Sequence, residues 1–156
     1  MTRPPAGSAG ERQQAVDLFN ETWSLLDTDD RTPEQDERMI HAAHGSRLHW
    51  EAAGTAENVA VGDWLCSRVY AVLGRAEPAM YHARWCLARA GSEHPPGWVR
   101  AEAHEAMARA HALLDELGEA RRHDAEARAI CDTIDDAEDR GVVLGDLATL
   151  PFDRDA

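Results

Sequence analysis

The stretch from Thr55 to Gly74 reads TAENVAVGDWLCSRVYAVLG, and Arg75 to Ala90 continues it as RAEPAMYHARWCLARA. Val61, Leu65, Arg68 and Val72 recur every three to four residues, the period of an α-helix, and nothing alternates as a strand does. Thr55 stands where a helix is capped and Gly74 where one stops. The helical pattern resumes from Ala76 to Ala90. Two helices joined by so short a turn must run antiparallel.

The same grammar extends outward. A first helix is expected over about Glu11 to Asp27, with Ser8 and Glu11 at capping-box spacing and Val16, Phe19, Trp23 and Leu26 facing inward. Thr32-Pro33 offers a cap and a first-turn proline to a second helix, which should run to about Ala53 and stop at Gly54. Beyond Ala90, the run GSEHPPG at 91–97 is a break. A fifth helix is expected over Trp98 to Leu117, stopped by Gly118. A sixth should span Glu119 to Ile134, with Ala120, Ala127, Ile130 and Ile134 inward. A short seventh, Ala137 to Leu150, presents Val143, Leu144, Leu147 and Leu150 and ends at Pro151. Residues 1–10 read as a flexible lead-in, 11–150 as one domain and 151–156 as a frayed acidic tail. The expected fold is all-α: antiparallel helical hairpins, one with two, three with four and five with six, stacked as a short solenoid that the seventh helix caps.

Composition narrows the function. The 156 residues carry 16 basic and 29 acidic side chains, a net charge of −13, which opposes the clustered positive charge that nucleic-acid binding needs. Every basic residue is arginine, so there is no Schiff-base or phosphate-loop lysine. No apolar run approaches the roughly 18 residues of a membrane span, and Met1 to Gly10 lacks the apolar core of a secretory signal. Cys66, Cys86 and Cys131 are odd in number, widely spaced and set in helical apolar patterns. Buried free thiols in a reducing cytoplasm are the expectation. No cofactor is implied.

Cys66-Ser67, Tyr70, Gly74, Ala79, Ala83 and Cys86 lie at the spacing of the small, aromatic and turn positions of a tetratricopeptide repeat. Trp64 is one residue off that pattern, and Ala83 stands where a large aromatic is usual. Met107-Ala108, His111, Ala120 and Ala127 match less well, with Asp124 in the aromatic position and Gly118 coming late for the turn. The first hairpin matches least, through Phe19 and Trp23. The two better units begin 41 residues apart rather than 34. The chain thus resembles a divergent tetratricopeptide solenoid, which implies binding of a peptide or protein on a concave face and usually no catalysis. The strings MIHAAHGSRLHW (39–50), SRVY (67–70), RAEP (75–78) and EAMAR (105–109) are also similar to a small family of bacterial helical proteins to which no activity attaches. No residue role carries over from it.

Chemistry concentrates in helix two. Glu37, His41, His44, Leu48 and Glu51 or Ala52 form one helical stripe, flanked by Ile40, so both histidines are expected near the apolar side. Arg47 and Trp50 complete the cluster, and His49 points elsewhere. In helix three Arg68 sits among core positions, where a guanidinium must be paired with an acid such as Glu51, Asp63 or Glu105. Ser67 and Tyr70 are near it in sequence. Helix five places His104, Met107, His111 and Leu114 on one stripe, with Glu105 and Arg109 at ion-pair spacing on another.

Three readings stay open. The histidines are interior structural groups; or His41, His44, Arg47, Trp50, Arg68, Tyr70, His104 and His111 line a pocket for an anion; or His41 and His44 bind a metal with a carboxylate and His104 or His111. No metal is assigned. Glu37 to His41 is one residue too long for a Glu-x-x-His bundle motif, and His-Glu-x-x-His is absent. Arg121-Arg122-His123 reads as a solvated face, and the aspartates at 27–30 and 132–139 lack a calcium-loop spacing. The expected role is an interaction or adaptor module whose groove is built by helices one, three and five. A protein or peptide is its partner, and a homodimer is compatible with it. The alternative is a small-molecule or metal-binding helical protein, with enzymatic activity left open, that uses His41, His44, Arg68 and a helix-five histidine.

Overall fold

The computed structural model describes residues 9–91 and 96–153. Ser8, most of the expected lead-in, the middle of the 91–97 break and the end of the acidic tail lie outside the described residues. Among those described, the chain forms seven α-helices and no strand: α1 (Ala9–Leu26), α2 (Pro33–Ala53), α3 (Ala56–Val72), α4 (Ala76–Ala90), α5 (Gly97–Leu113), α6 (Leu117–Cys131) and α7 (Ala137–Ala148). Side-chain caps start three of them. Thr32 and Gln35 exchange hydrogen bonds with each other's backbone at α2, and Thr55 with Asn58 repeats this capping box at α3. Asp136 accepts from the Glu138 and Asp139 N–H groups at α7.

The helices repeat. α3 and α5 each span 17 residues and begin 41 apart; α4 and α6 each span 15 and also begin 41 apart. Both hairpins turn the same way. Gly74 has φ +72° and Asp115 has φ +58°, and the next N–H bonds back to the helix, Arg75 to Tyr70 O at 2.9 Å and Glu116 to His111 O at 3.0 Å. This corrects the sequence expectation for the second turn. Asp115, not Gly118, takes the left-handed position, because a short polar side chain tolerates that conformation. α5 therefore ends at Leu113, and Gly118 lies exposed inside α6. α6 in turn stops at Cys131, short of Ile134.

Each hairpin packs on the next, α2 on α3 and α4 on α5, and the odd-numbered helices also meet, α3 with α5 and α5 with α7. Alanine supplies 15 of the 29 buried hydrophobic positions among the described residues, so axes approach closely. At Gly62 a Cβ would stand 2.8 Å from Arg47 Cγ, so the α2–α3 contact requires glycine there. Large side chains fill the remaining space: Met39, Leu65, Val69, Val99 and Leu147 are fully buried. Sealing Leu65 or Leu147 is worth roughly 1.5–3 kcal/mol each.

Three expected faces shift. In α1 the sealed residues are Ala15 and Thr22, while Val16, Phe19, Trp23 and Leu26 are half-buried. In α2 the inward stripe is Met39, Ala43, Ser46 and Trp50, and Leu48 is 62% exposed. That stripe is one residue, about 100°, from the expected one; small Ala43 and Ser46 let α2 seat there, and Ser46 Oγ donates to Ala15 O at 2.8 Å. In α6 the stripe Ala120, His123, Asp124, Ala127 and Cys131 faces α5, so His123 is buried rather than part of a solvated run. α7 closes the stack with Val143 and Leu147 against Ala101, Ala127, Cys131 and Ile134; the expected inward Leu144 is exposed.

Candidate functional site

A cavity of about 320 Å³ opens along the face where the odd-numbered helices lie side by side. Phe19 and Trp23 of α1, Trp64 of α3 and Trp98 of α5 form its aromatic walls, with Val61 and Val142 between them. Phe19 and Trp23 are half-buried because they border this space. The lining has two polar residues, Glu102 of α5 and Asp146 of α7, and both are acids.

Glu102 is 6% exposed, and its Oε2 has no hydrogen-bond partner. Burial first, then the carboxylates of Glu105 and Asp146, push its carboxyl well above the usual range. Burial first raises the Asp146 carboxyl as well, against the pull of Arg68, so the two carboxyls share one strongly coupled site. The cavity is thus floored by two buried carboxyl groups, and one of their oxygens, Glu102 Oε2, is unmatched. An unpaired buried oxygen costs about 1–3 kcal/mol.

Along the cavity wall runs a ladder with the repeat's own period. Trp23, Trp64, Glu105 and Asp146 stand 41 residues apart in series, one on each odd-numbered helix. The Trp23 and Trp64 ring centroids are 5.8 Å apart. Trp64 Nε1 donates to Glu105 Oε2 at 2.9 Å. Arg68 donates to Glu105 Oε1 at 2.9 Å and to Asp146 Oδ1 at 3.1 Å. Arg109 donates to Glu105 Oε1 at 2.7 Å and ties α5 to Thr149 at the end of α7. Glu105 is only 1% exposed, and its two arginines satisfy the charge that burial would otherwise forbid.

The eight residues singled out from the sequence fall into separate places. Arg68 pairs with Glu105, one of the expected acids. His41 is exposed beside Glu37, 3.9 Å away, and does not accompany His44 into the interior. Trp50 is buried with Arg12 over its ring. His44 and Tyr70 meet, Nε2 to hydroxyl at 2.9 Å, with His82 stacked on Tyr70 at 5.8 Å. Arg47 borders this cluster and pairs with buried Asp63 at 2.7 Å and with Glu51. Burial lowers His44, and burial with His44 and Arg47 nearby pushes His82 down to about 4, so His82 is a neutral imidazole. His104 and His111 meet in a third cluster, around His123 of α6. The three cysteines are buried and free, and burial pushes the Cys66 thiol up to about 12, which makes it inert.

Glu102, Asp146, Trp98, His82 and His123 escaped the reading of the sequence. The signal for Asp146 was present: the 41-residue interval, carried past the two central units, runs from Trp23 to Asp146. His82 and His123 are likewise 41 apart. The fold and cavity define a class on their own: an all-α stack of helical hairpins with an acid-floored aromatic cavity on the face of its odd-numbered helices. No protein-family model, no curated protein and no solved structure matches the chain.

Proposed function

We propose that this chain is a binding module that anchors a partner polypeptide by one cationic side chain in the α1–α3–α5–α7 cavity. The observation that carries it is the unmatched Oε2 of Glu102 at the floor of a tryptophan-walled cavity. Aromatic faces attract a cation, and the apolar stem of a lysine or arginine side chain suits the walls. An arriving ammonium or guanidinium donates to Glu102 Oε2 and favours the charged form of that carboxyl. The net charge of −13 favours a basic partner and speeds its encounter. A cavity of this size holds a side chain, not a protein surface, so the rest of the partner lies along the odd helices. This agrees with the tetratricopeptide resemblance, in which we place the chain as a divergent solenoid. Three buried free thiols favour the cytoplasm as its setting, and no described helix is long and apolar enough to cross a membrane.

The test is a titration of capped hexapeptides containing one lysine, one arginine or one norleucine, followed by the indole N–H resonances of Trp64 and Trp98. Lysine or arginine peptides are expected to shift both signals, norleucine peptides are not, and Glu102→Leu is expected to abolish the response. Equal shifts from norleucine peptides, or none from any cationic peptide, would refute the reading. The enclosed size of the cavity favours a second reading, a small free amine, for which n-butylammonium would shift both indoles while every peptide left them unmoved.

A further inference from the structure

The α5–α6 hairpin carries a second cluster that the cavity does not use. His111, Glu119 and His123 each offer a ligand atom, and these atoms lie within 4.8 Å of one another. One cationic nitrogen already touches two of them. Arg122 Nη2 donates to Glu119 Oε2 at 2.8 Å and to His123 Nε2 at 3.1 Å. A carboxylate oxygen and an imidazole lone pair therefore converge on a single positive point.

The other nitrogens of both histidines are committed. Since Arg122 donates to His123 Nε2, the proton of His123 is on Nδ1, and it donates to His104 Nδ1 at 2.8 Å. His111 Nδ1 donates to Glu116 Oε2 at 2.6 Å, which leaves Nε2 for a ligand. Metal-binding histidines are oriented in this way, by an acceptor on the far nitrogen that fixes the tautomer and raises basicity. The rings of His111 and His123 are stacked, with centroids 5.5 Å apart and planes 14° from parallel, so one ring must turn for both in-plane lone pairs to meet a single ion.

We propose that His111, His123 and Glu119 bind one divalent transition-metal ion of the zinc class, which displaces the Arg122 guanidinium. Two imidazoles and one carboxylate are a zinc, cobalt or nickel donor set, and three protein ligands leave a coordination position for water. Tetrahedral zinc holds its donors roughly 3.3 Å apart, so the set closes by about an ångström or more. Glu119 and Arg122 have exposed side chains that can make that movement. The ion joins the last turn of α5 to the first two turns of α6 and so staples the hairpin. The α3–α4 hairpin is an internal control. Its equivalents, 41 residues earlier, are Tyr70, Pro78 and His82, with one imidazole and no carboxylate. The expected stoichiometry is therefore one ion per chain.

The full chain, stripped with chelator, is titrated with Co²⁺ by visible absorption, and Zn²⁺ is then added in competition. One equivalent should bind with a tetrahedral or five-coordinate spectrum. Glu116→Ala is expected to weaken binding roughly 10- to 100-fold, and Glu119→Gln at least as much. Arg122→Ala should tighten binding severalfold by removing the competing cation. These three residues are exposed, so the variants fold whatever becomes of His123→Gln. Absence of stoichiometric uptake would overturn the proposal. So would uptake that Glu119→Gln and Arg122→Ala leave unchanged, or uptake lost on His41→Ala, which would place the ion at the exposed Glu37–His41 pair.

Discussion

At the same depth in two successive hairpins, two ring pairs stack. Tyr70 lies on His82 with planes 7° from parallel, and 41 residues later His111 lies on His123 at 14°. The helix lengths, the left-handed turn residue and the inward Ala79 and Ala120 also correspond. The chemistry does not. In α3–α4 the third member is Asp63, buried between Arg47 and Arg89. In α5–α6 its equivalent is His104, a half-buried imidazole on His123. Small residues at the helix contacts set the architecture, and the ring positions between paired helices remain free to take different chemistry. One hairpin holds a charged network and the other a group of imidazoles open to a cation.

The sharpest way to break this contrast is to delete the third member from each hairpin. Asp63→Ala leaves the guanidiniums of Arg47 and Arg89 without their shared carboxylate. Burial pushes that carboxyl up while both arginines pull it down. The expected loss is about 3–5 kcal/mol. His104→Ala leaves only the His123 Nδ1–H unmatched and should cost about 1–3 kcal/mol. Urea unfolding measures both. Equal losses would mean that charge is not what separates the hairpins.

The helical architecture was legible because caps and breakers are local. Thr32, Thr55, Gly54 and Gly74 fall at or beside the observed ends, while α7 stops at Ala148, short of the expected Leu150 and Pro151. The turn at Asp115 was not, since Gly118 is the stronger local signal and only the repeat register tells against it. The inner stripe of α2 was misread because Ile40 and Leu48 are more apolar than Ala43 and Ser46. Close packing selected small residues, and no hydropathy pattern reports that. Arg68 announced its need for an acid, and Glu105 was among those expected. The histidines of α2 and α5 did not share one site: His41 stays at the surface, His44 meets His82 of α4, and His104 and His111 meet His123 of α6. Glu102 gave no signal of its own, since an acid on an acidic chain reads as surface.

A smaller effect tests whether the two ring pairs are electrostatically alike. His82 is held at about 4 and ordinarily titrates near 6.5; His123 is held equally low, by burial and then by Arg122, His104 and His111. Between those values the unfolded chain binds the proton that the folded chain refuses. Stability is therefore full above pH 6.5 and falls as pH drops toward 4. Because solvent reaches the half-buried ring, His82 should contribute about 1–2 kcal/mol of that fall. Glu102 has the opposite sign: its raised carboxyl favours the fold at low pH, and that contribution is lost as pH rises through its folded value. Comparing His82→Phe with the unaltered chain, each unfolded in urea between pH 4 and 7, cancels Glu102. The variant should lose the His82 part of the histidine-dependent slope, and His44, His104 and His123 supply the remainder. An unchanged slope would show that His82 does not titrate as His123 does and would make the ring pairs electrostatically unlike.

The smallest effect lies in the turns, where the hairpins should behave as one. Gly74 and Asp115 occupy the same left-handed conformation, at φ +72° and +58°. A Cβ at Gly74 would meet nothing within 4 Å, so any penalty there is conformational rather than steric crowding by neighbours. Gly74→Ala should cost about 1 kcal/mol, and Asp115→Gly should gain roughly half as much, because glycine removes the strain but adds freedom to the unfolded chain. Thermal unfolding resolves both shifts. If Asp115→Gly destabilises instead, the Asp115 side chain contributes something that Gly74 cannot, and the correspondence between the hairpins stops at the backbone.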